Sequence, residues 1–596
     1  MADEQIRIDA MTNNEIRSAA ELYLSEEEND DFKVEIRDLL EAENWESLSD
    51  RFWRELDFGT GGLRGVIGGG INRINPTVVR RATQGLANYI LSHVSESERS
   101  VAIAYDSRHY SRLFAEETAR VMAENGIRTW LFSSLRPVPL LSYAVRYKSA
   151  CAGVMVTASH NPAAYNGYKV YWSDGAQVVP PHDNGIITEV RKVKGSVPAM
   201  SFKKAVDDGI VIMVDEEIDS NYREMVVGQS LNPKLVKERG SGLKVVYTPL
   251  HGTGLVPVET VLSELGIKIK TVPEQRDPDG DFPTVEFPNP EIAPALKLAL
   301  ELAAKENADL VMATDPDADR LGIAVPVNGE WVLITGNQLG ALLADYIFRS
   351  RKEQGSLPVN PAFVNTIVTS EFQNKIAEAY GAVSFRVLTG FKFIGEKIRQ
   401  FESDNSYNYV FGGEESYGYL VGTSVRDKDA VSAASITAEL ALWNQSRGFT
   451  VMDHLKELWA RFGYWQEMLI SRYLEGEKGE AVMVELMKSL RDNPPVSIAS
   501  KTIIALRDYK DGTTKNPVDG STELNIHLPS SNVLQFVLED GSLVTARPSG
   551  TEPKIKFYAS CRSALGDNPE AAQAELGGVF KGIESWVNER IKAVGG

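Results

Sequence analysis

The sequence predicts an α/β protein: three related α/β domains with mixed sheets, then a C-terminal α+β domain, set around a central cleft. Three observations carry that reading. The chain has 596 residues, too many for one hydrophobic core. Short β-branched runs alternate with longer amphipathic segments, as α/β units containing parallel strands require. Three apolar runs each empty into a polar loop: "GVMV" into "TASHNP", "DLVMA" into "TDPDADR", and "YNYVFGG" into "EESYG". Ligands of open α/β sheets gather outside the carboxyl ends of strands, so three such ends imply three domains facing one cleft.

The elements follow in chain order. Residues 14–57 have apolar side chains at helical spacing and are expected to be helical. "SVAIAYD" leads into a helix over 113–125, "LKVVYTPL" into one over 256–265, and "ADLVMAT" precedes one over 336–349. "LNPKLVKERGSGLK" reads as a boundary region and "RDPDGDFPTVEFPNPEIAP" as a long ordered loop. Residues 451–491 read as helical and polar on one face. From Pro494 the pattern changes to short strands and a final helix over 569–592. No strict short repeat occurs.

Composition narrows the functional classes. Apolar content of 43% and charged content of 24% suit a soluble globular protein, and no apolar run approaches the roughly 18–20 residues that span a bilayer. The amino terminus lacks a signal-peptide core. Two cysteines, Cys151 and Cys561, exclude a disulfide framework and point to a reducing cytoplasm. A net charge of −19 excludes a broad nucleic-acid surface, so an anionic substrate needs a local cluster of basic residues.

The motifs supply that cluster. Ser159 ends an apolar run in "TASHNPAAYNGYKVYW". His160 beside it suggests a serine hydrolase, but neighbours in an extended chain face opposite sides, and the G-x-S-x-G elbow is missing. The surroundings raise Ser159 above an ordinary turn serine: Asn161 and Asn166 as polar positioners, Gly167 for close backbone approach, Lys169 as a cation or proton carrier. A phosphorylated serine would bear nearly two negative charges and call for a metal. "DPDADR" aims Asp315, Asp317 and Asp319 at one hard cation, Mg²⁺ rather than Zn²⁺ in the absence of nearby Cys or His. An EF-hand is excluded, because Arg320 and Pro326 stand where Gly and Glu are needed. "DPDGD" repeats the spacing with Asp277, Asp279 and Asp281, yet no strand delivers it and no arginine follows.

"RPSGTEPKIKFY" offers Arg547, Ser549, Gly550, Thr551, Lys554 and Lys556, the hydroxyls, bare N–H groups and guanidinium that grip a phosphate dianion. No P-loop sequence is present, which leaves an ATP-fed enzyme unsupported. "FGTGGLRG" adds Arg64, "GGEESYG" adds Glu414 and Ser416 for sugar hydroxyls, "TGFKFIG" adds Thr389, Gly390 and Lys392, and "RDKD" adds Arg426 and Lys428.

In their order from "DFGTGG" to "KFY", these motifs resemble the α-D-phosphohexomutase superfamily. "TASHNP" is similar to its phosphoserine loop, "DPDADR" to its metal loop, "GEES" to its sugar loop and "RPSGTEP" to its phosphate loop. "DFGTGGLRGVIGGG", "YDSRHYS", "YWSDGAQVVPPHD" and "YTPLHGTG" resemble the branch of bacterial phosphoglucomutases and phosphopentomutase-like enzymes. The resemblance implies four domains, here expected at 1–206, 207–326, 327–458 and 459–596, the last with a helical linker. It implies catalysis by Ser159, His160, Lys169, Arg64, Arg320 and Lys428, and Mg²⁺ held by Asp315, Asp317, Asp319 and Ser159. Substrate contacts are expected from Thr389, Gly390, Lys392, Glu414, Ser416, Arg426, Arg547, Ser549, Gly550, Thr551 and Lys556.

The implied reaction interconverts glucose 1-phosphate and glucose 6-phosphate through phosphoserine and a glucose 1,6-bisphosphate intermediate, with Lys169 ahead of Lys428 as base once burial and cationic neighbours lower its pKa. Alternatives are a phosphopentomutase, a phosphomannomutase, a sugar phosphatase, or a non-catalytic sugar-phosphate sensor. The expected partners are small sugar phosphates, without nucleic acid or membrane, for a cytoplasmic monomer or small homo-oligomer.

Overall fold

A computed structural model describes residues 11–59, 61–474, 476–549 and 554–595. The chain divides into two compact units, one formed by residues up to Pro326 with Gly418–Ala438, the other by Val327–Tyr417 with Glu439–Gly596.

The first unit opens with helices Asn13–Glu26, Asp30–Glu41 and Trp45–Phe52. Their starts are written in the sequence: Thr12 and Glu15 form a reciprocal capping box, and Asn29 and Asn44 cap the next two. Ile16, Ala20, Tyr23, Ile36, Leu48 and Phe52 bury one face of the trio. Glu27 attaches the trio to helix Pro76–His93: its buried carboxylate accepts from the N–H (3.2 Å) and hydroxyl (2.8 Å) of Thr77, in the first turn of that helix. A carboxylate there also meets the positive end of the helix dipole.

A mixed six-stranded sheet comes next, ordered Gly62–Val66, Tyr165–Trp172, Ala152–Val156, Ser100–Tyr105, Arg128–Phe132, Val211–Val214. The last four strands run parallel and the first two antiparallel. Ala152–Val156 is buried at every position, as expected of a central strand covered on both faces. The second sheet orders Leu321–Val327, Leu310–Thr314, Lys244–Thr248 and Lys268–Thr271, parallel except for the first pair. The expected boundary near residue 233 contains a short helix, Pro233–Arg239, capped by Asn232.

In the second unit, Val383–Val387, Pro361–Thr366 and Asn408–Glu414 pair in parallel. The C-terminal sheet is antiparallel, ordered Tyr464–Tyr473, Lys554–Ser563, Leu543–Pro548, Leu534–Leu538, Lys501–Asp508, Thr513–Lys515, Thr522–Leu524, with helix Pro569–Ala593 beside it. One expectation is corrected here. Residues 451–491 are not continuously helical: helix Val451–Phe462 stops at Gly463 (φ 89°), and Tyr464–Tyr473 is a strand paired along its length with Lys554–Ser563 before helix Gly476–Asp492. Gln, Glu, Met and Leu in that segment are good helix formers, and the partner strand overrides them. The architecture is thus three α/β domains and a C-terminal α+β domain. No described helix is long and apolar enough to cross a membrane.

A buried polar knot ties helix Gly336–Glu353 to helix Val451–Phe462. Asp345 accepts from Tyr380 Oη (2.6 Å), His454 Nε2 (3.0 Å), Arg349 Nε (3.0 Å) and Arg461 (3.3 Å). Burial alone would raise its pKa, but the His454 hydrogen bond and charge, aided by Arg349 and Tyr380, hold it down at about 2. The folded pKa lies below the unfolded one, so this stabilisation is present above about pH 4 and lost as pH falls towards 2. The shift corresponds to about 2 kcal/mol. Thermal unfolding of the wild type followed from pH 5 to 2.5 should show a fall in midpoint that is shallower in Asp345→Asn, other depressed carboxylates such as Asp319 and Glu371 accounting for the rest; parallel pH slopes for the two proteins would contradict this.

Candidate active site

The segment after strand Ala152–Val156 turns sharply at Ser159, whose φ of 53° lies in the left-handed region. That turn corrects the expectation that Ser159 and His160 face apart: His160 Nδ1 lies 3.1 Å from Ser159 Oγ. The alternation rule applies to extended chain, and this chain is not extended. Ser159 is 3% exposed, and its Oγ donates to Asp315 Oδ2 at 2.9 Å. Burial, then the charges of Arg320 and Arg64, push the His160 pKa well below its ordinary value, so the imidazole is neutral.

Residues absent from the expected set hold this conformation. The wholly buried Arg108 side chain donates to the carbonyls of Ser159 (2.5 Å), Asn161, Pro162 (2.8 Å) and Tyr165 (3.0 Å). It lies 3.3 Å from Asp106 and stands 4.9 Å over the Phe282 ring. Asp106 in turn accepts from Ser111 Oγ, which accepts from Asn166. Gly167 meets the expectation of close approach: a Cβ there would sit 2.4 Å from the Thr157 carbonyl oxygen. A non-glycine residue in the left-handed region persists when its surroundings over-determine it, and four carbonyls on one guanidinium do that. "YDSRHYS" contained the arginine, but spacing alone does not reveal which backbone it grips.

Strand Leu310–Thr314 delivers the aspartates. Asp315, Asp317 and Asp319 are buried, with one ligand oxygen from each within 4.8 Å of the others. Thr253 donates its N–H and hydroxyl to the Pro316 carbonyl, both at 2.8 Å, and a Cβ on Gly252 would lie 2.4 Å from Pro316 Cα. The "HGTG" loop therefore presses the aspartate loop into shape. Asp317 Oδ1 and Asp319 Oδ1 are buried with no hydrogen-bond donor among the described residues. Orphaned buried carboxylate oxygens in an all-oxygen set fit a hard divalent cation. The "DPDGD" aspartates form no such group: Asp281 pairs with His109 and Asp277 is exposed.

Three cations converge on the triad. Lys169 Nζ lies 2.8 Å from Asp317 and 3.7 Å from Asp319; Lys428 Nζ lies 3.1 Å from Asp319; Arg320 Nε is 3.9 Å from both Asp315 and Asp319. Burial would raise the Asp319 pKa, yet Lys428, Lys169 and Arg320 pull it far below the carboxylate range. Asp315 moves the other way, raised by burial and by the charges of Asp317 and Asp319. The expected lowering of Lys169 is overturned. Burial does act in that direction, but Asp317 and Asp319 outweigh it and hold the ammonium above its ordinary pKa.

Lys428 is aimed by a second unanticipated set. Asp427 accepts from Lys428 Nζ (3.0 Å), Tyr171 Oη (2.8 Å) and Gln177 (2.9 Å), and a Cβ on Gly418 would strike Lys428 Cδ at 2.0 Å. Arg64 is exposed on strand Gly62–Val66, opposite Gly167. Arg426 is fully buried, donating to the Val425 carbonyl. It has no surface for a substrate, so its expected contact role is replaced by a structural one.

The second unit gathers the remaining residues. Glu414, at the end of its strand, accepts from the Gly390 N–H at 2.9 Å, and Gly390 has φ 119°, a conformation natural to glycine. The Thr389 hydroxyl is buried without a partner among the described residues. Lys392 lies 5.2 Å over the Phe393 ring, and Ser416 is half-buried nearby in sequence. Arg547 and Lys556 stand directly opposite each other in neighbouring strands, and the Ser549 N–H donates to the Lys554 carbonyl at 2.8 Å. Gly550 and Thr551 lie outside the described residues.

A serine, a carboxylate triad and converging cations at the ends of repeated α/β sheets define a sugar-phosphate mutase, an enzyme of the isomerase class. The chain belongs to the phosphoglucomutase/phosphomannomutase family of the α-D-phosphohexomutase superfamily: that family's α/β/α domains I, II and III match residues 55–196, 220–328 and 335–462. It is 34% identical to human phosphopentomutase, over 92% of each chain. It is 36% identical to a phosphoglucomutase of Staphylococcus epidermidis, over 88% of this chain and 94% of that one. The fold matches the open form of parafusin, a phosphoglucomutase from Paramecium, with a TM-score of 0.67 at 20% identity, covering 90% and 95% of the two chains.

Arg108→Lys keeps the charge but loses the planar fork that reaches several carbonyls at once. Steady-state kinetics should show kcat down by roughly 100-fold, a loss typical of misplaced reacting groups, with KM little changed. An unaltered kcat would show that the serine loop holds its shape without the guanidinium.

Proposed function

We propose that this enzyme is a phosphoglucomutase that interconverts glucose 1-phosphate and glucose 6-phosphate through phosphoserine 159 and glucose 1,6-bisphosphate. The observation that carries the reading is the buried Ser159 hydroxyl, 2.9 Å from Asp315 within a triad in which Asp317 Oδ1 and Asp319 Oδ1 have no donor among the described residues. The substrate choice is supported by the resemblance of "GEESYG" to the glucose-type form of the family's sugar loop and by the staphylococcal phosphoglucomutase relative.

In this mechanism Ser159 carries the phosphoryl group, and Asp315, Asp317 and Asp319 would hold Mg²⁺ together with it. When bound, the metal would supply charge stabilisation for the transferring group. His160, neutral, accepts a hydrogen bond or donates one at Ser159 Oγ without adding charge. Arg64 and Arg320 offset charge on the phosphoryl oxygens. Lys169 takes the proton from the attacking sugar hydroxyl, with Lys428 as the alternative base. Either lysine can do so only after its aspartate partners are engaged elsewhere, because those carboxylates favour the ammonium. Glu414, Ser416, Thr389 and Lys392 orient the sugar, and Arg547, Ser549 and Lys556 clamp the phosphate that is not reacting. The bisphosphate then turns end for end and returns its other phosphate to Ser159.

A second reading, phosphopentomutase, is favoured by the human relative, whose name gives that activity. A cytoplasmic location fits the two buried free cysteines.

Ser159→Ala should lose at least about 1,000-fold in turnover, and intact-mass measurement should find one phosphoryl group on the wild type incubated with glucose 1,6-bisphosphate and none on the variant. An active variant would refute the carrier role. Coupled assays with glucose 1-phosphate, ribose 1-phosphate and mannose 1-phosphate should give the highest kcat/KM for glucose. A higher value for ribose would replace the hexose assignment with the pentose one.

A further inference from the structure

The second unit contains another cleft, about 710 Å³ in volume, between helix Phe391–Asp404 with strand Val383–Val387 on one side and residues 507–529 on the other. Its size falls within the range of small-molecule sites. The floor is apolar and continuous with a buried cluster: Ile367, Leu388 and Tyr509, flanked by Phe393, Ile526 and Leu528.

The rim is basic in a chain of net charge −19: Arg386, Lys397, Arg507 and His527 line the cleft against one acid, Glu396. Arg386 is committed to Glu371, which also feels the charge of Arg507. Lys397 and Arg507 are held differently. Lys397 Nζ lies 3.2 Å from Gln400 Oε1 and 5.1 Å over the rings of Phe385 and Phe401. Arg507 donates to Gln535 Oε1 at 2.8 Å. Their hydrogen bonds go to neutral amides, and the carboxylates whose charge they feel, Glu371 for Arg507 and Asp404 for Lys397, are not among the residues that line the cleft, so both cations can still meet a ligand there.

We propose that this cleft binds a small anion with a flat apolar body, an aryl or heteroaryl phosphate. The ring of Phe393 and the side chains of Ile526 and Leu528 take the apolar body, and Lys397 and Arg507 take the phosphate. The position gives the ligand a route to the sugar loop. Leu388 precedes and Phe393 follows Thr389, Gly390 and Lys392, and both line the cleft, so an occupant would meet the residues at both ends of that loop. This coupling, unlike the binding itself, rests on the proposed role of the loop in gripping the sugar.

The test uses full-length protein and 1-naphthyl phosphate, followed by fluorescence. Binding should saturate at one equivalent and weaken at least about tenfold, or 1.4 kcal/mol, in Lys397→Glu and in Arg507→Glu. Circular dichroism checks that each variant is folded, and either folded variant alone decides the point. Inorganic phosphate and 1-naphthol should each bind at least about tenfold more weakly, because each offers half of the recognition. Excess glucose 1-phosphate should leave the binding unchanged. Absence of saturation, equal affinity in a folded variant, or displacement by glucose 1-phosphate would each overturn the site. None of these readouts uses turnover, so they stand even if the phosphoglucomutase assignment fails. With binding established, saturating 1-naphthyl phosphate should shift the KM for the sugar phosphate by about threefold; an unchanged KM would overturn the coupling.

Discussion

The structure of the first unit is organised by the cost of burying three carboxylates within 4.8 Å of one another. Like charges that close, removed from water, are strongly unfavourable unless compensated. Lys169, Lys428 and Arg320 supply positive charge, Lys428 shared with Asp427 and Arg320 with Glu291, and each arrives from a different part of the chain. The antiparallel strand Tyr165–Trp172 brings Lys169, the segment held by Asp427 and Asp429 brings Lys428, and the aspartate loop itself brings Arg320. Tyr222 donates to Asp429 at 2.7 Å, and Asp429 caps Val431 and Ser432, which fixes the segment bearing Lys428. Much of the fold around the site serves to place these ammonium and guanidinium groups where the carboxylates need them.

What was legible in the sequence was what local chain decides. Strand ends, the aspartate loop and the serine loop were readable because an apolar run followed by polar residues needs no knowledge of distant neighbours. The opening helical segment was readable from its apolar spacing, but not its division into three helices capped at Thr12, Asn29 and Asn44. The strand at Tyr464–Tyr473 was not, because its residues favour helix and the ladder with Lys554–Ser563, nearly a hundred positions away, decides otherwise. Arg108 was invisible as a positioning group for a similar reason: its target carbonyls begin 51 residues later. The direction of the Lys169 shift was misread because burial was weighed without the aspartates that burial brings with it. His160 was misjudged on one dihedral angle, the φ of Ser159.

Arg108 and the triad make complementary demands on Ser159. The guanidinium holds the backbone from behind through carbonyls, leaving the hydroxyl free to face Asp315 and His160 from the front. Thr157 joins the two sides, accepting from the Ser159 N–H at 2.9 Å and donating to Asp317 at 3.2 Å. The serine is therefore positioned by main-chain contacts, so its side chain is available for chemistry. A loop fixed through its own side chains could not change the charge on that hydroxyl without rearranging.

The same charge arithmetic bears on the proposed reaction. Lys428 is shared with Asp427 and Arg320 with Glu291, so five carboxylates face three side-chain cations and the site is short of positive charge as it stands. A phosphoryl group on Ser159 would bring nearly two further negative charges, and a divalent cation on the aspartates would bring two positive ones. The phosphoryl group therefore deepens the deficit unless the cation accompanies it. The enzyme proposed here thus ties its primed form to an occupied aspartate site. Transfer to the sugar removes the anion from Ser159 but must keep it near the cluster, which is the reason the bisphosphate would turn in place rather than leave.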